Sequence, residues 1–305
     1  MFERFGVGLT LPQLGDHVTR NAVRAFCERA EALGFASLWV QEHLFYALEP
    51  SAPYAARPGM PVPEAYKTTW SPLELLTAAA AWTDHVRIGT GILVGGYHRP
   101  VELAQRLATL DHLSNGRLIV GLSVGWSKDE HDQMDVEFTT RGRRMDELVE
   151  ALTVCWGPDP VRFDGEFFHI PASIVSPKPV QLPRPPLLSG MRSPAGLRRT
   201  AAMFDLWNPA SGSLEQITQT AAAIDAMRPE GASPIQVVQR IFTEPPFVVA
   251  GLEPMTVAQI ADAVRAARDA GIDHVVVDTV FTSQVESPDD WATMPDRLAP
   301  VLEDL

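Results

Sequence analysis

Lysine is scarce in this chain: its 305 residues include three, Lys67, Lys128 and Lys178. With 38 acidic against 25 basic side chains, the formal net charge is −13. A balance of that kind provides no basic face for nucleic acid or an anionic bilayer, and neither is expected as a partner. Cysteine is nearly absent too. Cys27 and Cys155 each fall inside a helical pattern, which reads as two buried free thiols in a reducing cytoplasm. No stretch approaches the roughly 18 apolar residues of a membrane span, and the opening MFERFGVGLTLP has no apolar signal core. A cytoplasmic protein is therefore expected. The eight histidines form no H-x-H or H-x-x-x-H pair and the cysteines no C-x-x-C, so no metal site is expected. A G-x-S-x-G elbow and a P-loop are also missing.

What is present is a repeated cycle. Runs of β type at Phe5–Leu11, Phe35–Val40, Val86–Thr90, Arg117–Gly121, Pro186–Ser189, Phe204–Trp207, Ile235–Phe242 and His274–Thr279 alternate with helical spacing. The helical stretches are Val18–Leu33, Leu73–Trp82, Val101–Leu113, Arg143–Trp156, Pro194–Met203, Leu214–Met227, Thr256–Ala270 and Pro288–Leu302. Gly34 stands where the first helix should end, and Thr139 or Thr140 where the fourth should be capped. Eight strands each followed by a helix, with no composition break between them, predict an α/β fold: a single (β/α)8 TIM barrel over residues 1–305. A doubly wound open sheet is the alternative, weakened because no G-x-G-x-x-G follows the first strand. Insertions at about 46–70, 159–186 and 243–254 interrupt the cycle. The second contains VRFDGEFFHI, a hairpin signal around Asp164-Gly165. The first and third follow strands, which places them on the C-terminal face where barrel active sites form.

Four stretches on that face carry candidate chemistry. Glu42-His43 ends the second strand; an imidazole there suits acid–base work, though a rim salt bridge would use the same pair. Gly89-Thr90-Gly91-Ile92-Leu93-Val94-Gly95-Gly96 runs out of the third strand, as a bulge against a flat ligand would or as a plain loop would. Gly121-Leu122-Ser123-Val124-Gly125-Trp126 ends the fourth and is a weak signal alone. Ser189-Gly190-Met191-Arg192-Ser193-Pro194 leads into a helix, where Ser193 suits the N-cap and the free N–H groups and Arg192 suit an anion.

These stretches, in this order, resemble the luciferase-like monooxygenase superfamily, and most closely its branch that uses the deazaflavin coenzyme F420. The resemblance runs through RAEALGFASLWVQEHL (29–44), RIGTGILV (87–94), HRPVELAQRLATLDHLSNGRLIVGLSVGW (98–126), FTTRGRRMDELVEALTVCW (138–156), FDGEFFHI (163–170) and SPAGLRRTA (193–201). It implies a (β/α)8 barrel, with Glu42 and His43 at the ring edge beside the reacting carbon; members more often show Asp before the His. It implies a non-proline cis peptide at Gly91-Ile92 backing the ring, Val124 and Gly125 lining it, and Gly190, Met191, Arg192 and Ser193 around the phosphate. The 46–70 segment is then the expected lid, with Tyr54, Tyr66, Trp70 and Trp126 as substrate walls and His43 as the proton donor or acceptor. The implied activity is hydride transfer between F420 and a small or medium organic molecule. The alternative is a reduced-FMN monooxygenase served by a partner flavin or F420 reductase, and a third reading is a flavin-binding protein without turnover. The resemblance also implies a homodimer, with Pro72–Trp82 and Val101–Leu113 as candidate interface helices.

Overall fold

The computed structural model describes residues 2–54, 59–209, 211–244, 253–303 and 305. Its elements are β1 (Gly6–Thr10), α1 (Arg20–Leu33), β2 (Ser37–Val40), α2 (Pro72–Ala81), β3 (Arg87–Thr90), β4 (Leu93–Val94), α3 (Pro100–Leu113), β5 (Leu118–Ser123) and α4 (Lys128–Gln133). There follow α5 (Arg141–Trp156), β6 (Val161–Asp164), β7 (His169–Ser173), β8 (Leu187–Ser189), α6 (Pro194–Met203), β9 (Leu206–Trp207), α7 (Leu214–Asp225), β10 (Gln236–Phe242), α8 (Val257–Asp269), β11 (His274–Asp278) and α9 (Pro288–Leu298). Parallel neighbours run β3-β2-β1-β11-β10-β9-β8-β5-β4, and a β3–β5 pairing closes the ring. Because β3 and β4 are two halves of one stave, the ring has the eight staves of a TIM barrel.

Local chemistry explains the boundaries. Thr19 accepts from the Ala22 N–H to start α1, and Gly34 ends it with φ of 93°, a left-handed conformation that glycine adopts without a Cβ penalty. Ser213 with Gln216 and Thr256 with Gln259 form reciprocal capping boxes on α7 and α8. The barrel interior is filled by Trp39, Ile119, Leu188, Leu206, Val238 and Val276. A second layer packs between strands and helices and includes Phe26, Leu76, Leu107 and Leu152. Cys27 and Cys155 lie there as buried free thiols, and burial pushes Cys27 up to about 12.

The structure departs from the sequence reading in several places. The helix expected from Arg143 starts at Arg141, and Thr140 holds its N-cap place without a side-chain cap, because its hydroxyl donates to the Glu137 carbonyl at 2.7 Å. The α4 helix has no counterpart in the periodic pattern. The β6–β7 hairpin turns more widely than Asp164-Gly165 alone, its turn held by three N–H groups, of Glu166, Phe167 and Phe168, donating to the Glu147 carboxylate. In the 46–70 insertion Glu64–Lys67 forms a 3-10 turn, and residues 55–58 lie outside the described residues. Most of the 243–254 insertion, residues 245–252, also lies outside them.

Candidate active site

The stave made of β3 and β4 is broken in a specific way. Gly89 pairs with Ile119 and Leu93 with Leu122, so four steps on this stave oppose three on β5. The extra residue makes a bulge, and the Gly91-Ile92 peptide within it is cis, as the resemblance implied. Two glycines make the close approach possible. A Cβ at Gly89 would stand 2.5 Å from the Trp39 ring, and one at Gly121 would stand 1.9 Å from the Thr90 carbonyl oxygen. The backbone of the bulge is tied down on all sides. Gly91 N–H donates to the Val40 carbonyl at 2.6 Å, and the Glu42 N–H donates to the Ile92 carbonyl at 3.1 Å. Arg240, reaching across from β10, donates to the Gly91 carbonyl at 3.0 Å and is itself ion-paired with the fully buried Asp278.

Glu42 serves this ledge. Its carboxylate accepts from the Val94 N–H at 2.6 Å and from His98 Nε2 at 3.0 and 3.1 Å. Glu42 thus buckles the end of β2 to β4 and the loop after it. The extra methylene relative to aspartate gives it that reach.

His43, the next residue, is buried, and its Nδ1 faces Glu130 of α4. Glu130 is saturated with donors: the Leu44 N–H joins His43 on Oε1 at 2.8 Å, and the Tyr97 hydroxyl donates to Oε2 at 2.5 Å. Burial alone would raise the Glu130 carboxyl, but the His43 bond and charge, with Tyr97 and Leu44, outweigh it and hold the group below the usual carboxylate range. Burial, with the Glu130 charge beside it, pushes the Tyr97 phenol upward, so it stays protonated. A carboxylate at Nδ1 leaves the other ring nitrogen for outside partners. His43 Nε2 is buried and has no hydrogen-bond partner among the described residues.

Around the His43 ring stand aromatic rings. Tyr66 meets the His43 ring at 4.1 Å between centroids and Trp126 at 5.6 Å, both edge-on. Tyr54 packs on Trp126 at 5.1 Å and its hydroxyl lies 3.3 Å from that of Tyr66. The structure thus brings Tyr54, Tyr66 and Trp126 to His43, but not Trp70. That indole packs on the main core, and its backbone is fastened to Gln13 through its N–H at 3.0 Å and its carbonyl at 2.8 Å. Val124 packs against the same core. Gly125 turns with φ of 74°, where a Cβ would meet Val94 at 2.6 Å.

At the fifth stave a Cβ on Gly190 would lie 3.0 Å from Ile92 and 3.3 Å from Ser123, so three loops converge on the ledge. Ser193 caps α6 by accepting from Gly196 N–H at 3.1 Å, as the sequence predicts. Met191 is buried, its carbonyl accepting from Trp207 Nε1 at 3.0 Å, while the exposed Arg192 donates to Ser211 Oγ at 3.1 Å. Sequence reasoning missed Glu130, Tyr97, His98, Arg240 and Asp278. The one signal within reach was Ser127-x-x-Glu130, a capping-box pattern in which the glutamate turns away from its cap to His43. Among the described residues no group of three or more His, Cys, Asp or Glu is placed to hold a metal ion, and no helix is long and apolar enough to cross a membrane.

An uncharacterised protein of Mycobacterium tuberculosis is 33% identical over 179 residues, which span 58% of this chain and 64% of that relative. The oxygenase component of a flavin-dependent trigonelline monooxygenase from Acinetobacter baylyi is 28% identical over 199 residues, 63% of this chain and 49% of its own. Among solved structures, an F420-dependent secondary alcohol dehydrogenase holding an F420–acetone adduct shares the fold, with a TM-score of 0.74 and 15% identity over 99% of this chain and 100% of its own. The family model for luciferase-like monooxygenases matches residues 3–244, and the chain belongs to that family of oxidoreductases.

Proposed function

We propose that this protein is an oxidoreductase that transfers a hydride between the deazaflavin coenzyme F420 and a small or medium organic substrate. The observation that carries this reading is the His43–Glu130 pair beside the bulge. A hydride moved to or from a carbonyl, alcohol or alkene carbon needs a proton moved as well, and His43 Nε2 is a buried nitrogen with no hydrogen-bond partner among the described residues. The residues also fit a flat ring. Gly91 offers bare backbone for a planar group to lie against, and a Cβ there would already touch the Trp39 ring at 3.5 Å. Gly190, Met191, Arg192 and Ser193, at the start of α6, suit the phosphate that such a coenzyme carries.

When bound, the coenzyme supplies or receives the two-electron hydride. This chain's part is positional and protic. The ledge would back one face of the ring and leave the other for the substrate. Glu130 keeps the proton on His43 Nδ1 and stabilises the imidazolium, so that Nε2 takes a proton from an alcohol or returns it to a carbonyl oxygen. Tyr66 and Trp126 keep water from that nitrogen.

The test follows F420 absorbance with a panel of secondary alcohols, ketones and enones. His43→Ala should lower turnover by about 10²–10⁴, and Glu130→Gln should lower it less, while both still bind coenzyme. Wild-type turnover in His43→Ala would sink the assignment. A second reading, a reduced-FMN monooxygenase supplied by a separate reductase, is supported by the likeness to the Acinetobacter baylyi oxygenase component. Oxygen consumption that depends on reduced FMN would favour it.

A further inference from the structure

We infer that a vestibule on the outer side of Tyr66 admits the substrate, and that this substrate is an uncharged, flat, largely apolar molecule offering one hydrogen-bonding atom to His43. The inference rests on the proposed function only in calling the occupant a substrate. A cleft of about 420 Å³ is lined by Leu44, Phe45, Tyr46, Leu48, Tyr66 and neighbouring side chains, within the ~300–1,000 Å³ typical of small-molecule sites. Its lining sets exposed apolar side chains beside Lys67 and Thr69: Leu44 is 41%, Phe45 39% and Leu48 87% exposed. Tyr66 belongs to both regions. It lines the cleft, and its ring lies 4.1 Å from that of His43. Leu44 links them again, because its N–H is held by the same Glu130 oxygen that His43 faces.

Charge decides the class of ligand. Lys67, on the cleft, pairs with Glu64 and lies 5.5 Å over the Tyr46 ring. Further in, Glu130 already faces His43, and Arg240 is paired with Asp278. A carboxylate or phosphate would find no unpaired cation along this route among the described residues, and an unpaired charge taken out of water costs several kcal/mol. A quaternary ammonium would need free ring faces. Here the face of Tyr46, the ring that lines the cleft beside Lys67, already carries the Lys67 ammonium at 5.5 Å. A neutral planar molecule needs neither, and it takes its one polar contact from His43 Nε2.

Equilibrium dialysis of the full chain against 2-acetylnaphthalene, 2-naphthoate and (2-naphthyl)trimethylammonium tests this with probes of one shape and three charges. The neutral ketone should bind about tenfold tighter than either ion, or better (~1.4 kcal/mol). Phe45→Glu and Leu48→Glu, at exposed positions, should each weaken the ketone about fivefold and leave F420 affinity unchanged. Equal or tighter binding of either ion, no binding of the ketone, or wild-type affinity in both variants would overturn the inference. Ketone binding by a chain that binds neither F420 nor FMN would leave the vestibule standing and remove the proposed function instead.

Discussion

His43 and His274 are both buried imidazoles, and their neighbours decide what each does. His43 has a carboxylate on one nitrogen and, among the described residues, no hydrogen-bond partner on the other. His274, at the opposite end of the barrel, is paired with a hydroxyl instead. Its Nε2 meets Ser37 Oγ at 2.6 Å, the same oxygen that accepts from Trp39 Nε1, and its ring stacks on Phe2 at 3.9 Å. Burial, helped by the Arg87 charge, holds His274 down at about 3 against its ordinary 6.5. The unfolded chain therefore takes up this proton near pH 6.5 while the folded chain refuses it until about pH 3. Stability conferred by the neutral ring is complete above pH 6.5 and is lost progressively as the pH falls towards 3. Between pH 7 and pH 5 the loss is about 2 kcal/mol. Urea unfolding at both pH values should show that difference in the wild type and not in His274→Gln. An equal pH dependence in the two proteins would contradict it.

At the scale of elements, the barrel uses glycine for two different reasons. Gly121 is required by proximity, since a Cβ there would overlap the Thr90 carbonyl at 1.9 Å, and that carbonyl is backbone that cannot swing away. Gly15 is required only by conformation: its φ is 86° and a Cβ there would meet nothing within 4 Å. Gly15→Ala should cost about 1–2 kcal/mol, and Gly121→Ala about 3 kcal/mol or more, compared by chemical denaturation. Equal costs would mean that the stave can part to admit a methyl group. The alternation of such elements was legible in the chain because strand runs and helical spacing are local patterns. Ser193 as a cap was legible for the same reason. Glu130 was not: it sits in Ser127-Lys128-Asp129-Glu130-His131-Asp132, a polar stretch that reads as surface, and its partner His43 is 87 positions away. The direction of Glu42 and the withdrawal of Trp70 into the core were equally hidden. Both depend on contacts, with Val94, His98 and Gln13, that only the assembled barrel brings together.

At the scale of the whole molecule, the barrel converts sequence order into convergence. Residues 43, 91, 126 and 190 leave four different staves, yet every strand points its end to the same face. The family match stops at residue 244, but the ring closes only through β11, which pairs with β1 and with β10. Asp278 at the end of β11 then holds Arg240, and Arg240 holds the Gly91 carbonyl. The last unit thus reaches the ledge through one ion pair, and the site is a property of the closed ring. The most direct measurement of this account is a fluorescence titration of the wild type and His43→Ala with F420 and, in parallel, with FMN. Saturable binding of F420 at one site per chain, undiminished in His43→Ala, is the predicted result; failure of the wild type to bind either coenzyme would contradict it.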